Sequence, residues 1–570
     1  MDGMLVYTEK TNCQDCYKCI KHCPVKAIKV ESHNASVIRE NCIYCGRCVS
    51  VCQAQAKKVR DDTDILKGFL YKNEKIVCSL APSYVSEFSG ISKHNIISAI
   101  KKLGFYGVSE TALGAEIVSE KSAEWLSKQK SGVYISSCCP SLVNLICKYY
   151  PELTDSLIPI DSPMIANGKL LRKIYGNDIK TVFIGPCISK KWESDENYDV
   201  INAAITFSDL RNLFREKNIS LEEEQSRINE GFIPCESEAG RYFPLEGGML
   251  LNMKKDVTYS DISYMAFSGF DKIKTILKSL KNINTKGKIV LELMTCDGGC
   301  INGPGCRQGA SDMEKKIDVI ESIQVNEDIE KFDLPMIETQ DRDFGMLRPV
   351  IKCLHTEDEI SDVFEAVGKF SKADELNCGG CGYENCREFA KAMLDGKAER
   401  AMCISYMRKV AQDKASVLLK KIPAGVVIAD DELKILDSNE RFAKMMGEDT
   451  YYVYTNKPGL EGVHLPRLIT FSKFFEKVLE TGEDIIEKDI RIGNKYYVIS
   501  IMAIQRYKIV CGIIQDMKEK DVQRQMVIER TQEVIKENML SVQKIAKILG
   551  ENASYTESML NSILDSYDEE

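Results

Sequence analysis

Between residues 70 and 350, short apolar runs alternate with stretches of helical periodicity. The runs "EKIVCSLAP", "GVYISS", "KTVFIGP" and "KIVLELM" are of strand length and rich in β-branched residues. Their alternation with helical patterns predicts an α/β region. Further along, "DIRIGNKYYVISIMAI" and "YKIVCGIIQDM" alternate as antiparallel strands do. The tail from about 518 reads as helix. Ile528, Ile535, Val542, Leu549 and Ile563 repeat at seven-residue spacing, with Thr556 filling the remaining slot. Gly550 and several polar slots interrupt the stripe. Two readings stand side by side: a helix laid on its own neighbouring domain, or a dimer or partner-docking surface. No apolar run reaches transmembrane length. The start, "MDGMLVYTEKTNCQDC", lacks the basic end and apolar core of a signal peptide. The expectation is a cytoplasmic chain with no membrane role.

The length of 570 residues predicts several domains. A hydrophobic content of 44% fits globular domains rather than disorder. The net charge of −9 gives no electrostatic reason for a nucleic-acid partner. Cysteine changes the picture. There are 23, clustered in short spacings, with only five histidines. In a reducing compartment such clusters point to metal rather than disulfides. All-thiolate sets suit zinc or iron–sulfur clusters, and the spacings decide.

The first cysteines read "CQDCYKCIKHCP" and "CIYCGRCVSVCQ". Each is C-x2-C-x2-C-x3-C, the bacterial ferredoxin run, in which the fourth cysteine serves the other cluster. Cys13, Cys16, Cys19 and Cys52 are therefore expected to hold one [4Fe–4S] cube. Cys42, Cys45, Cys48 and Cys23 are expected to hold the second. Gln53 stands where proline is usual. A pair of zinc knuckles would use two CxxC pairs instead.

Three of the predicted strands run straight into cysteine loops: "SSCCPS", "IGPCISKKWE" and "ELMTCDGGCINGPG". In α/β folds, function collects at the carboxyl ends of strands. Cys139, Cys187, Cys296 and Cys300 could then close one metal site. These loops resemble the three signatures of the iron-only ([FeFe]) hydrogenases, T-S-C-C-P, M-P-C-x-x-K-x-x-E and E-x-M-A-C-x-x-G-C-x-x-G-G-G. The resemblance implies an H-cluster, a [4Fe–4S] cube joined to a two-iron unit bearing CO, cyanide and a bridging dithiolate amine. It assigns Cys139, Cys187 and Cys296 to the cube and makes Cys300 the bridge to the two-iron unit. Cys138 would stay a free thiol and hand protons to the bridging amine. Lys190 would donate a charge-assisted hydrogen bond to a cyanide. Glu193 would orient that lysine or face solvent. Ser83 matches the stretch on the cyanide side, Phe243 a phenylalanine near the cluster, and Met294 the third-loop methionine. Gly298, Gly299 and Gly303 would let the backbone approach the cluster.

The chain departs from that pattern. Gly185 replaces the second-loop methionine, which implies a roomier, less apolar pocket. Met164 stands for a glutamine, Leu142 for a tryptophan, and Ile158 for a serine of the usual proton path. Glu120 and Glu124 are candidates for that path's two glutamates. A relay needs groups within hydrogen-bond reach. Ile158 breaks it, so the route outward must differ. The pattern resembles the sensory branches of the family more than the high-turnover branch.

Residues 378–403, "CGGCGYENCREFAKAMLDGKAERAMC", space four cysteines as C-x2-C-x4-C-x16-C. They resemble a small [4Fe–4S] domain of corrinoid and reductase proteins, with Cys378, Cys381, Cys386 and Cys403 as ligands; zinc is the alternative. As a relay it would connect the H-cluster to the C-terminal part of the chain. There, "LLKKIPAGVVIADDELKILDSNERFAKMMG" resembles the opening of a PAS domain, with Asn439 before a short helix. His464 is a candidate haem ligand, although a lone histidine is more often structural. Cys511 reads as core.

The expected architecture is multidomain α/β and α+β. It comprises a 2[4Fe–4S] ferredoxin-like domain (1–62), an H-cluster domain (70–350), a small [4Fe–4S] domain (355–415), a PAS domain (416–517) and a C-terminal amphipathic helix (518–570). The expected function is a ferredoxin hydrogenase-type oxidoreductase for reversible H2 oxidation and proton reduction, of low turnover, used as a hydrogen or redox sensor. Its expected cofactors are an H-cluster and three further [4Fe–4S] clusters. Its expected partners are H2 and protons, a redox protein such as ferredoxin, hydrogenase maturases, a downstream signalling protein and a second copy of the chain. The alternatives are a bulk fermentative hydrogenase and a non-catalytic hydrogenase-like iron–sulfur protein.

Overall fold

Strand Ile76–Leu80 is buried at every position, as a strand covered on both faces must be. It lies in a parallel four-stranded sheet, ordered Gly107–Glu110, Ile76–Leu80, Lys180–Gly185, Ala203–Thr206. A second parallel sheet joins Ile262–Ser268, Lys288–Met294 and Gly132–Ile135. The first core gathers Ile76, Ile97, Val182, Ile205 and Phe207. The second gathers Ile135, Leu142, Leu145, Ile273 and Leu291. The computed structural model describes residues 4–516 and 534–540, except 223–230, 257–261, 281–282, 284, 308, 325–332, 340–341, 346, 352 and 493–494. The C-terminal helix expected over 518–570 falls almost wholly outside the described residues. Among those described, no helix is long and apolar enough to cross a membrane.

The chain divides into two units, Met1–Arg400 and Ala401–Glu570. In the first unit, the cysteine-rich start pairs Val6–Thr8 with Lys57–Val59 and Ile28–Glu31 with Asn34–Val37, both antiparallel. It is fastened to the α/β region by directed bonds. Lys148 Nζ donates to the Cys42 carbonyl at 2.7 Å, and Tyr149 Oη to the Asn41 carbonyl at 2.7 Å. Tyr44 stacks on Trp192 at 6.2 Å. Later in this unit, helix Glu357–Ala366 starts at a Thr356–Glu359 capping box. Helix Cys386–Leu394 is capped by Asn385, whose side chain accepts from Glu388 N.

The second unit opens with helix Ile404–Lys421, which runs through the boundary expected at 415/416. Five antiparallel strands come next, ordered Ile435–Ser438, Gly425–Asp430, Ile509–Asp516, Lys495–Gln505, Ile485–Ile492. Asn439 caps the helix after the second strand and pins the first: its Oδ1 accepts from Phe442 N and Val426 N, both at 2.9 Å. Phe442, Phe475, Ile499 and Ile514 fill the core on one side. Cys511 is buried on the other, beside Val426 and Ile513. His464 pairs through its backbone with Lys434.

Candidate metal centre

The loops that matter all start where a parallel strand stops. Ile76–Leu80 leads to Ala81–Ser83, Gly132–Ile135 to Cys138 and Cys139, Lys180–Gly185 to Cys187, and Lys288–Met294 to Cys296 and Cys300. Cys139, Cys187, Cys296 and Cys300 line one cavity of about 110 Å³. Two tight crossings bring the loops together. A Cβ on Gly299 would stand 2.3 Å from the Pro244 carbonyl, and one on Gly303 2.6 Å from that of Pro186. These glycines were expected to admit an inorganic cluster. In the structure they let protein backbone cross protein backbone.

The four thiols are buried, and burial raises their pKa values; Cys187 is pushed up to about 11. Neighbouring thiols add to the rise, since each of Cys187, Cys296 and Cys300 feels others of the set. Such a set ionises only when a cation repays the desolvation. Ser83 supports the same conclusion. It is 1% exposed and lines the cavity, and its hydroxyl has no hydrogen-bond partner among the described residues. A buried orphan hydroxyl fits a ligand that supplies an acceptor. Among the described residues, no three His, Cys, Asp or Glu side chains stand as one metal ion requires. A cube instead spreads its thiolates over four corners.

Lys190 and Glu193 sit three residues apart on helix Ser189–Glu196 and share a face. Of the two readings for Glu193, the buried one holds: it is fully buried. Its Oε2 accepts from Lys190 Nζ at 2.6 Å and from Ser162 Oγ at 2.9 Å, while its Oε1 accepts from Arg342 at 2.8 Å. Burial alone would raise its pKa, but Lys190 and Arg342 outweigh burial and hold it below the ordinary carboxylate range. Lys190 also donates to Ser162 Oγ at 2.9 Å. That leaves one of its three N–H donors for whatever the cavity holds.

Phe243, Met164 and Met294 are buried and line the cavity. The room expected beside Gly185 is absent. A Cβ there would stand 2.6 Å from the Phe183 ring and 2.9 Å from Ala81 Cβ. Phe183 replaces the apolar wall that a methionine would have given.

Cys138 lines the cavity outside the four-cysteine set, with its Sγ 3.7 Å from Met249 Sδ. Burial pushes its thiol up to about 12, so it holds its proton. Ile158 is buried in the apolar cluster against which Cys138 packs. Glu120 and Glu124 do not continue the path: both are exposed, and Glu124 pairs with Lys121 and Lys128. The carboxyl facing the cavity is Glu292, which sequence reading missed although it opens the quoted "ELMTC". Burial raises it to about 8, and the exposed Glu246 adds to the rise. Glu246 in turn accepts from Ser268, which accepts from Gly298 N at 3.0 Å. Arg342 and Ser162 were also missed. No local pattern marks them, since each acts on a residue distant in sequence.

The ferredoxin-like cysteines group as their spacing predicts. Burial raises Cys19, which feels Cys16, Cys13 and Cys52. Burial likewise raises Cys48, which feels Cys45, Cys23 and Cys42. Cys45 also lines the cavity. Further on, Cys378 is exposed and Cys381 and Cys386 are half-buried. Cys403 precedes the first helix of the second unit.

Comparison with known proteins agrees with this geometry. The family described as iron only hydrogenase large subunit, C-terminal domain, matches residues 74–304. A 4Fe-4S dicluster domain matches 5–53, and an Fe-S cluster family matches 374–405. Iron hydrogenase 1 of Clostridium pasteurianum is 27% identical over 297 residues, covering 42% of this chain and 52% of its own. The cytosolic Fe-S cluster assembly factor NAR1 of Yarrowia lipolytica is 23% identical over 332 residues, covering 43% and 67%. The chain thus spans about half the length of that hydrogenase relative. Among solved structures, the [FeFe]-hydrogenase HydA1 of Chlamydomonas reinhardtii aligns with a TM-score of 0.35 at 17% identity, over 43% of this chain and 84% of that one. A PAS domain of an HTR-like protein from Haloarcula marismortui aligns with a TM-score of 0.14 at 12% identity, over 20% and 98%. Residues 74–304 are therefore an iron-only hydrogenase-type domain, preceded by a 4Fe–4S dicluster domain.

Proposed function

We propose that the chain is an [FeFe] hydrogenase of low turnover that serves as a hydrogen or redox sensor. One observation carries the reading. Four cysteines from three strand ends surround one cavity, and a fifth thiol, Cys138, faces it without belonging to the set. Cys139, Cys187, Cys296 and Cys300 would hold the H-cluster. When bound, it supplies iron for hydrogen and a sink for its electrons. The residues around it do the rest. Lys190 offers a charge-assisted donor, fixed by Glu193 and Ser162. Phe183, Phe243, Met164 and Met294 keep the cavity apolar and exclude water. Cys138 holds a proton at Sγ, and Glu292 and then Glu246 offer a route outward in place of the one Ile158 closes. With no hydroxyl at 158, proton supply limits turnover, which suits a reporter more than a bulk electron sink.

The second unit would be a PAS domain, on the strength of its five-stranded antiparallel sheet and the Asn439 cap. It would report to a downstream protein or a second copy. Ferredoxin would exchange electrons with the cysteine-rich start, maturases would install the two-iron unit, and the setting would be the cytoplasm. The likeness to NAR1 favours a second reading, a non-catalytic iron–sulfur protein. The infrared spectrum of anaerobic, maturase-loaded protein separates the two. Bands of iron-bound CO and cyanide are expected, and their absence after complete maturation would overturn both the hydrogenase and the sensor. A hydrogen-evolution rate then decides between reporter and bulk enzyme.

A further inference from the structure

The cysteine loop at 378–386 is seated on the ferredoxin-like start of the chain. Lys26 Nζ donates to the Gly382 carbonyl at 3.0 Å. The same ammonium donates to the carbonyls of Ile20 at 3.0 Å and Lys21 at 3.1 Å. One cation thus ties the loop of Cys381 to the loop of Cys23. Gly382 has a φ of +86°, and a Cβ there would stand 3.1 Å from Ile20 Cβ and 3.2 Å from Lys21 N. The approach is close enough to require glycine. Two more bonds hold the seat: Val30 N donates to the Lys397 carbonyl at 3.0 Å, and Ser32 N to Glu399 Oε1 at 2.8 Å.

Tyr383 lies under Lys26, with Nζ 5.9 Å from the ring centre. It is 4% exposed, and its hydroxyl has no hydrogen-bond partner among the described residues. Buried hydroxyls are rarely left so. After burial, the influences on this phenol include the Cys381 and Cys23 thiols, so it stands between the two ligand sets. An orphan donor there fits a cube sulfide as acceptor. On the far side of the same ligand set, Cys45 lines the cavity together with Cys139 and Cys296.

We infer that the ferredoxin-like domain is a fork: the set Cys23, Cys42, Cys45 and Cys48 adjoins the cavity at Cys45 and the Cys381 loop at Cys23, and Lys26 is the positioning residue of that second junction. This rests on the cluster assignments of the proposed function. One branch leads to Cys13, Cys16, Cys19 and Cys52 and out to a carrier protein. The other leads to the cube of the Cys381 loop. Each transfer takes one electron from a reduced cube and adds it to an oxidised one, with no bond made or broken. The cavity and the C-terminal cube thus communicate through the ferredoxin-like domain rather than directly.

The test is electron paramagnetic resonance on the full-length chain, reconstituted with iron and sulfide and titrated with dithionite. No two-iron unit is needed, so missing CO bands would leave the result standing. In the wild type, reducing the C-terminal cube should broaden the signal of the Cys23 set and speed its relaxation. Cys381→Ser should abolish that effect. Lys26→Met should keep iron and sulfide content, weaken the coupling and shift both cubes to lower potential; Lys26→Arg should restore both. Should Lys26→Met lose a cube, Tyr383→Phe serves instead, with a downward shift expected from the lost hydroxyl donor. The inference is overturned if the Cys23 signal is the same in wild type and Cys381→Ser. It is equally overturned if potentials and coupling survive both Lys26→Met and Tyr383→Phe unchanged.

Discussion

Glu193 neutralises two buried cations at once, Lys190 and Arg342. Removing one partner of a buried ion pair leaves an uncompensated charge, which costs about 3–5 kcal/mol. Glu193→Ala should therefore lower the thermal midpoint of the first unit sharply, and Glu193→Gln by less. Glu292 acts in the opposite sense. Its folded pKa of about 8 stands above the ordinary 4.5. Between those values the folded chain keeps a proton that the unfolded chain releases. Stability should therefore fall as pH rises through that window, by at most about 1.4 kcal/mol per pH unit for this one group. Glu292→Gln should flatten the slope and, in the loaded enzyme, lower hydrogen evolution. Cys138→Ala should leave the infrared bands in place and cut turnover by roughly 10²-fold or more. Loss of the cube in that variant would show that Cys138 is a ligand.

On strand Lys180–Gly185, positions 183 and 185 face the same side because strand side chains alternate with period two. Losing the side chain at 185 lets the Phe183 ring lie across the gap. Gly185→Met should thus be destabilising by about 1–3 kcal/mol. Phe183→Ala should relieve it, and a double-mutant cycle on unfolding midpoints would read the coupling. The same strands explain what the sequence made legible. Each is an apolar run ending in cysteine, so both the α/β pattern and the four loop cysteines could be read from short stretches. The gap at 185 could be read too, but not its filling, because that depends on which way a ring two residues earlier turns. Arg342 was hidden for a stronger reason: its partner Glu193 is 149 residues away, and no period links them. Glu120 and Glu124 failed because their helix presents them to solvent, which the sequence does not reveal.

At the scale of the molecule, the chain places its iron-binding residues at very different depths. The cavity cysteines and Cys138 lie behind apolar walls, whereas Cys378 lies on the surface. Oxidation of a thiolate follows exposure. Brief contact with air should therefore remove iron from the C-terminal set first, and iron per chain should fall in a step before any infrared band fades. The lysine clasp between Lys26 and Gly382 would still tether the loop after its cube is gone. Such a chain would go on turning over hydrogen with its report line cut. A preparation judged sound by activity alone could then be mute in any signalling assay, and the surface cysteine would be the reason.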